Sequence, residues 1–307
     1  MDPLGPITIS SISQIHGLLG REAPPNPLVS VIAASWQGPH RVAIPVANRR
    51  IQSELYAVSL KRGDECQLAF GRQVFDGQAG TIVFLAPGQA VTPLEATDRI
   101  APIGDGWTLV FHPDLICGSA LASVIKQYGF FSYAADEALH LADDEQQTLT
   151  ELVKQIEREA ATTPDAYSSD VLAAHLQLLF GYCQRFYARQ FRTRARVQGG
   201  VLERVQKHLD EYLASARPRD EGLPTVATCA KALGYSPDYL TDLLREETGE
   251  STREHIHRAI ITAAKTRLAS TSDSVSQVAY SLGFEHPQHF AKLFKQKTGS
   301  SPSEWRR

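Results

Sequence analysis

Two stretches decide the reading: TVATCAKALGYSPDYLTDLLREETG at 225–249 and SVSQVAYSLGFEHPQHFAKLFKQKTGSSPSEWR at 274–306. They are two copies of one pattern. Ala230/Ala279, Leu233/Leu282 and Gly234/Gly283 match at an offset of 49. After one inserted residue in the turn, Leu240/Phe290, Leu243/Leu293, Leu244/Phe294, Thr248/Thr298 and Gly249/Gly299 match at 50. Each matched position has a physical reason. Thr225 and Ser274 are N-cap types just ahead of a short helix. The Ala inside that helix lets a second helix cross closely, and the Gly four residues later supplies the positive-φ turn between the two. Ser236 and Pro237 open the second helix as cap and first residue, and Gly249 and Gly299 close the second helices. The pattern predicts two helix-turn-helix units.

A single such helix pair is a weak sign, because α-hairpins in general look alike. Two copies at a fixed offset within one domain are far more specific. Between them, Ile256, Ile260, Ala264 and Leu268 recur at steps of four, which predicts one continuous helix over 251–270. At ~1.5 Å per residue it spans about 30 Å, close to the ~34 Å between adjacent major-groove faces of a duplex.

Here the chain resembles the AraC/XylS family of bacterial transcription regulators, over about 201–307 and most closely at 274–306. The resemblance implies a seven-helix domain whose two helix-turn-helix units, joined by the long helix, read double-stranded DNA sequence-specifically in adjacent major grooves. It also implies an N-terminal effector or dimerisation domain of cupin-like β structure. A small-molecule effector and RNA polymerase are the further partners expected of such an activator. The chain departs from the family at Ile260, where many members carry Arg.

The second helices would carry the reading residues. In the first unit these are Ser236, Tyr239, Thr241, Asp242 and Arg245; in the second, His286, Gln288, His289, Lys292 and Lys295. Gln pairs bidentately with adenine, Lys reaches guanine or phosphate, and Asp accepts from cytosine but repels phosphate. Lys297 closes the second reading helix. Charge is unevenly distributed: residues 199–250 carry a net −4, 251–275 a net +2 and 276–307 a net +3. The C-terminal unit is therefore expected to supply most of the electrostatic hold.

Upstream, the pattern changes. Short runs at 41–47 (RVAIPVA), 55–60 (LYAVSL), 81–85 (TIVFL) and 108–111 (TLVF), bounded by Gly and Pro, predict an antiparallel β sandwich or barrel. Two helices follow, at 143–160 with Leu149, Leu152, Val153 and Ile156 on one face, and at 168–192. The second carries a seam of Leu172, Leu176, Leu179, Cys183 and Phe186, suited either to a partner helix in a homodimer or to the chain's own β layer. After an Arg cluster (Arg189, Arg192, Arg194, Arg196), Gly199-Gly200 is the expected hinge between a domain at 1–198 and a DNA-binding domain at 199–307. The fold class is thus α+β followed by all-α.

The bulk numbers exclude little by themselves. With 307 residues and a net charge of −3, the chain has room for two cores and no overall basic character. Cys66, Cys117, Cys183 and Cys229 are widely spaced, which suits reduced thiols in a cytoplasmic protein rather than zinc or disulfide frameworks. No run reaches the ~20 apolar residues of a membrane span. His40 and His112 lack the spacing of a metal pair, and the usual hydrolase, metalloprotease and nucleotide-binding motifs are missing. Neither enzymatic activity nor a cofactor is expected.

Overall fold

Local β propensity at the N-terminal side resolves into two sheets. The computed structural model describes residues 7–33, 50–61, 67–70, 73–76, 80–93, 106–198 and 200–306. The run expected at 41–47 lies outside them, as do Trp36, His40 and Cys66. In the first sheet β1 (Ile7–Ile9) lies parallel to β3 (Ile51–Ser53). The sheet continues antiparallel through β8 (Ala90–Pro93) and β5 (Gln67–Phe70) to β6 (Gln73–Asp76). The second is antiparallel throughout, in the order β10 (Leu139–His140), β7 (Thr81–Leu85), β4 (Tyr56–Lys61), β9 (Trp107–Phe111), β2 (Val29–Ala33).

This corrects the expected all-antiparallel sandwich or barrel. The first sheet is mixed, and the two sheets do not close into a barrel among the described residues. The mixed pairing has a topological cause. Parallel neighbours need a long connection, and here the chain passes through α1 (Ile12–Leu18) and β2 of the other sheet before returning as β3.

Two compact units result, Met1–Gln190 and Phe191–Arg307. In the first, the predicted helical face of α3 (Asp143–Ala160) buries Leu149, Leu152, Val153 and Ile156. Trp107 on β9 donates its indole N–H to Thr150 on that helix at 3.0 Å. The next helix, α4, runs from Ser168 to Gln198, past the expected end at 192, and takes in the whole Arg cluster. Its seam residues Leu172, Leu176, Leu179, Cys183 and Phe186 are all buried in this chain's own core. That removes the seam as a dimer surface, since a face already filled by intramolecular packing has nothing left to offer a partner. The aromatic run at 128–133 supplies much of the filling. Phe130 stacks on Tyr187 with ring centroids 5.8 Å apart, and Phe131 meets Phe180 edge-on at 5.5 Å. Arg189 grips Glu145 with two bonds of 2.7 Å and ties α4 to the start of α3.

The second unit is helical: α5 (Val201–Ala214), a short α6 (Arg217–Glu221), α7 (Val226–Leu233), α8 (Pro237–Thr248), α9 (Thr252–Ser270), α10 (Val275–Ser281), α11 (Pro287–Thr298) and a short α12 (Pro302–Trp305). Among the described residues no helix is long and apolar enough to cross a membrane.

Four histidines, His16 and His255 buried and His208 and His257 half-buried, are expected to make this fold sensitive to acid. His16, His208, His255 and His257 all titrate below the ordinary value of 6.5, chiefly because burial disfavours the imidazolium. His255 is the most enclosed of the three in the second unit and bonds Thr248 Oγ1 at 2.9 Å. A histidine whose folded pKa is depressed adds stability above its unfolded pKa, and that stability is lost as pH falls toward the folded one. The thermal midpoint is therefore expected to drop between pH 7.5 and pH 5. An unchanged or higher midpoint at pH 5 contradicts this.

Candidate nucleic-acid interface

The repeat read in the sequence is a repeat in structure. Thr225 caps α7 and Ser274 caps α10, each in a reciprocal box with the residue three positions on, Thr228 and Gln277. Gly234 and Gly283 turn the chain at φ +77° and +94°. Ser236 caps α8 by accepting from the Tyr239 N–H. α11 instead begins at Pro287, with the His286 side chain making no cap. The matched Thr-Gly pairs end both helices in the same way. The Thr248 hydroxyl donates to Leu244 O and accepts from the Glu250 N–H, while Thr298 does the same with Phe294 O and the Ser300 N–H. Gly249 and Gly299 follow in the left-handed region.

Between the units, α9 buries Ile256, Ile260, Ala264 and Leu268, as their spacing predicted. Its 19 residues span about 28 Å at ~1.5 Å each. Arg267, which the sequence reading passed over, lies one turn from Ala264 on this stripe. Its guanidinium donates to Ser281 O at 2.7 Å, Ser281 Oγ at 2.5 Å and Leu213 O at 2.5 Å, binding α9 to the ends of α10 and α5. The signal available in the sequence was a charge interrupting an apolar stripe.

The two candidate reading helices differ. On α11, His286, Gln288, His289, Lys292 and Lys295 are all exposed, opposite the fully buried Phe290 and Phe294. Gln288, Lys292 and Lys295 follow at steps of four and three and so form one stripe. Lys297 instead reaches back to Glu254 at 2.5 Å.

α8 presents less. Tyr239, expected on the reading face, is fully buried: Phe191 meets its ring edge-on at 5.0 Å and Arg194 donates to its hydroxyl at 2.5 Å. A phenol enclosed in that way has no surface to offer a base, so the assignment of Tyr239 as a reader is withdrawn. Thr241 is half-buried and donates back to Pro237 O, with Thr252 Oγ1 at 3.2 Å. Ser236 is also half-buried, its hydroxyl engaged in the cap. Asp242, half-buried, holds Arg245 at 3.1 Å, and Arg245 is exposed on α8 along with the acidic Asp238, Glu246 and Glu247.

A family model described as a helix-turn-helix domain matches residues 229–307. The arabinose operon regulatory protein of Escherichia coli strain K12 is 33% identical over 81 residues, 26% of this chain and 28% of its own length. The chain thus carries a helix-turn-helix domain at 229–307 and is similar there to AraC/XylS regulators. The uncharacterized helix-turn-helix-type transcriptional regulator YijO of the same organism is 31% identical over 129 residues, 42% of this chain and 43% of its own. This chain thus spans less than half the length of either relative. Among solved structures, the DNA-binding domain of AdpA in complex with a target DNA is 25% identical, covering 34% of this chain and 88% of its own, with a TM-score of 0.30.

Proposed function

We propose that the chain is a sequence-specific DNA-binding transcription regulator whose two helix-turn-helix units read adjacent major grooves unequally. The observation that carries this reading is α11 and the residue before it: His286, Gln288, His289, Lys292 and Lys295 are exposed opposite an apolar face fixed by Phe290 and Phe294. Gln288, His289 and Lys292 make base contacts, and Lys295 and the helix N-terminus with His286 hold phosphate. In the first unit Arg245 makes the principal contact and Asp242 sets its direction. The cap of Ser236 and the inward bond of Thr241 leave those two a supporting role. The net +3 of residues 276–307 against the −4 of 199–250 makes the second unit the electrostatic anchor.

The N-terminal domain gates this activity. Its dimer surface on the 168–192 helix is the outward face, where Val171, Ala174 and Leu178 are exposed at helical spacing, not the buried seam. An effector has room in a cavity of about 230 Å³ beside Phe84, Gln89, Phe130, Tyr133 and Tyr187. RNA polymerase is the partner through which an activator of this kind acts.

The test measures binding to the duplex upstream of the chain's own gene across a range of salt. Lys292→Ala is expected to weaken binding about tenfold, to change the preference at one base position and to lower the salt slope by about one. An unchanged dissociation constant and slope removes Lys292 as a reader. No binding to promoter DNA at low salt overturns the reading as a whole.

A further inference from the structure

We propose that the C-terminal end of α4 is a positioning brace for the first reading helix, acting through Tyr239. The proposal rests on the reading of α8 as a DNA-contacting helix.

In the repeat, Tyr239 corresponds to His289, at the offset of 50 that relates Leu240 to Phe290. His289 is exposed, whereas Tyr239 is fully buried. What encloses it comes from before the repeat. Phe191 packs edge-on against the ring, and Arg194 both bonds the hydroxyl and places its guanidinium 5.6 Å from the ring centre. On the other side Tyr235 stacks at 5.6 Å. Arg204 on α5 fixes Tyr235 in turn, donating to its hydroxyl at 3.0 Å and to Leu233 O at 3.1 Å.

Further along α8, Arg192 pairs with Glu246 at 2.6 Å, and the Leu202 N–H donates to Glu247 at 3.3 Å. Phe191, Arg192 and Arg194, with Leu202 and Arg204, therefore grip α8 at its start through two stacked tyrosines, Tyr239 held by Arg194 and Tyr235 by Arg204, and near its end through two carboxylates. A planar guanidinium bonded to the hydroxyl at the ring's edge fixes direction as well as distance, which a Lys ammonium does not. The pitch and rotation of the first reader thus depend on the state of the last turns of α4. That helix is continuous with the residues that fill the core of the first unit.

The test uses the full chain and an operator selected by the wild type from random duplexes. Positions whose preference changes in Arg245→Ala define the first half-site, which is scrambled in a second duplex. Arg194→Ala and Tyr239→Phe are each expected to lose about tenfold in affinity on the intact operator and little on the scrambled one. The double variant is expected to lose no more than either single one, because both remove the same contact. Arg194→Lys recovers part of the loss. The thermal midpoint of Tyr239→Phe, which keeps the ring in place, separates repositioning from unfolding. If the wild type is indifferent to scrambling the first half-site, α8 is not a reader and the brace falls with it. If the wild type discriminates but the variants lose equally on both duplexes, or tighten, the brace alone is overturned.

Discussion

Gly283→Ala is expected to cost the C-terminal unit about 3–5 kcal/mol, whereas Gly234→Ala, the same change at the matched position of the first copy, costs about 1 kcal/mol. Both glycines sit at positive φ, +94° and +77°, so both variants carry the strain of an L-residue in the left-handed region. Their surroundings differ. A Cβ at 234 meets nothing within 4 Å. A Cβ at 283 would stand 2.7 Å from Gly222 C, 2.8 Å from Gly222 O and 2.8 Å from Pro218 O, all backbone atoms that no rotamer change can move. The end of α6 is pressed into the turn between α10 and α11, and only a residue without a side chain admits it. Against the ~5–15 kcal/mol that holds a typical domain, the larger loss leaves the unit marginal. Urea unfolding followed by far-ultraviolet circular dichroism measures both variants. Equal midpoints for the two would mean that the contact with Pro218 and Gly222 contributes nothing.

That asymmetry marks what the sequence could show. Caps, turns and helix ends were legible because their chemistry is local: Thr225, Ser274, Ser236, Gly249 and Gly299 do what their residue types do within three or four positions. The helical faces of α3 and α9 were legible from periodicity alone. Four other features depend on partners distant in the chain. The matching turns of Gly234 and Gly283 are indistinguishable until α6 is placed beside one of them. Tyr239 precedes Leu240 at the edge of the apolar arc, where burial is decided by a neighbour, and the neighbour is residues 191–194. The seam of α4 reads identically whether its own core or a second copy fills it. The short β1, of three residues, gave no sign that it would pair parallel with β3.

Among the reading residues, type and helix were legible and availability was not. The α11 set is exposed as expected. On α8, Thr241 was read as outward, yet its hydroxyl bonds Pro237 O and faces Thr252. A hydroxyl able to bond its own helix has a local alternative to a ligand, and residue type alone does not show which it takes.

Arg267→Met is expected to destabilise the C-terminal unit by about 2–4 kcal/mol and to weaken the second half-site more than the first. The departure at Ile260 frames the reason. Ile260 is buried and carries no charge, so an Arg in this linker helix has to stand elsewhere if it is to tie the two units together. Arg267 lies seven residues on, two turns along the same face. There it donates three bonds of 2.5–2.7 Å to the last turns of α5 and α10. Met retains the length and the apolar stem but leaves Ser281, which is buried, and the carbonyl of Leu213 without their donor. Lys cannot span three acceptors in two directions from a single ammonium, so Arg267→Lys is expected to recover less than half of the loss. Ile260→Arg installs the residue common at this position in the family the chain resembles and is nevertheless expected to cost about 3 kcal/mol or more, because it puts a charge in the place of a buried aliphatic side chain. Urea midpoints rank the three variants, and affinities on operators with one half-site scrambled assign the functional loss. Stability unchanged in Arg267→Met would show that the two units are held together by the apolar stripe of α9 alone, whereas stability raised in Ile260→Arg would show that a charge is accommodated within that stripe.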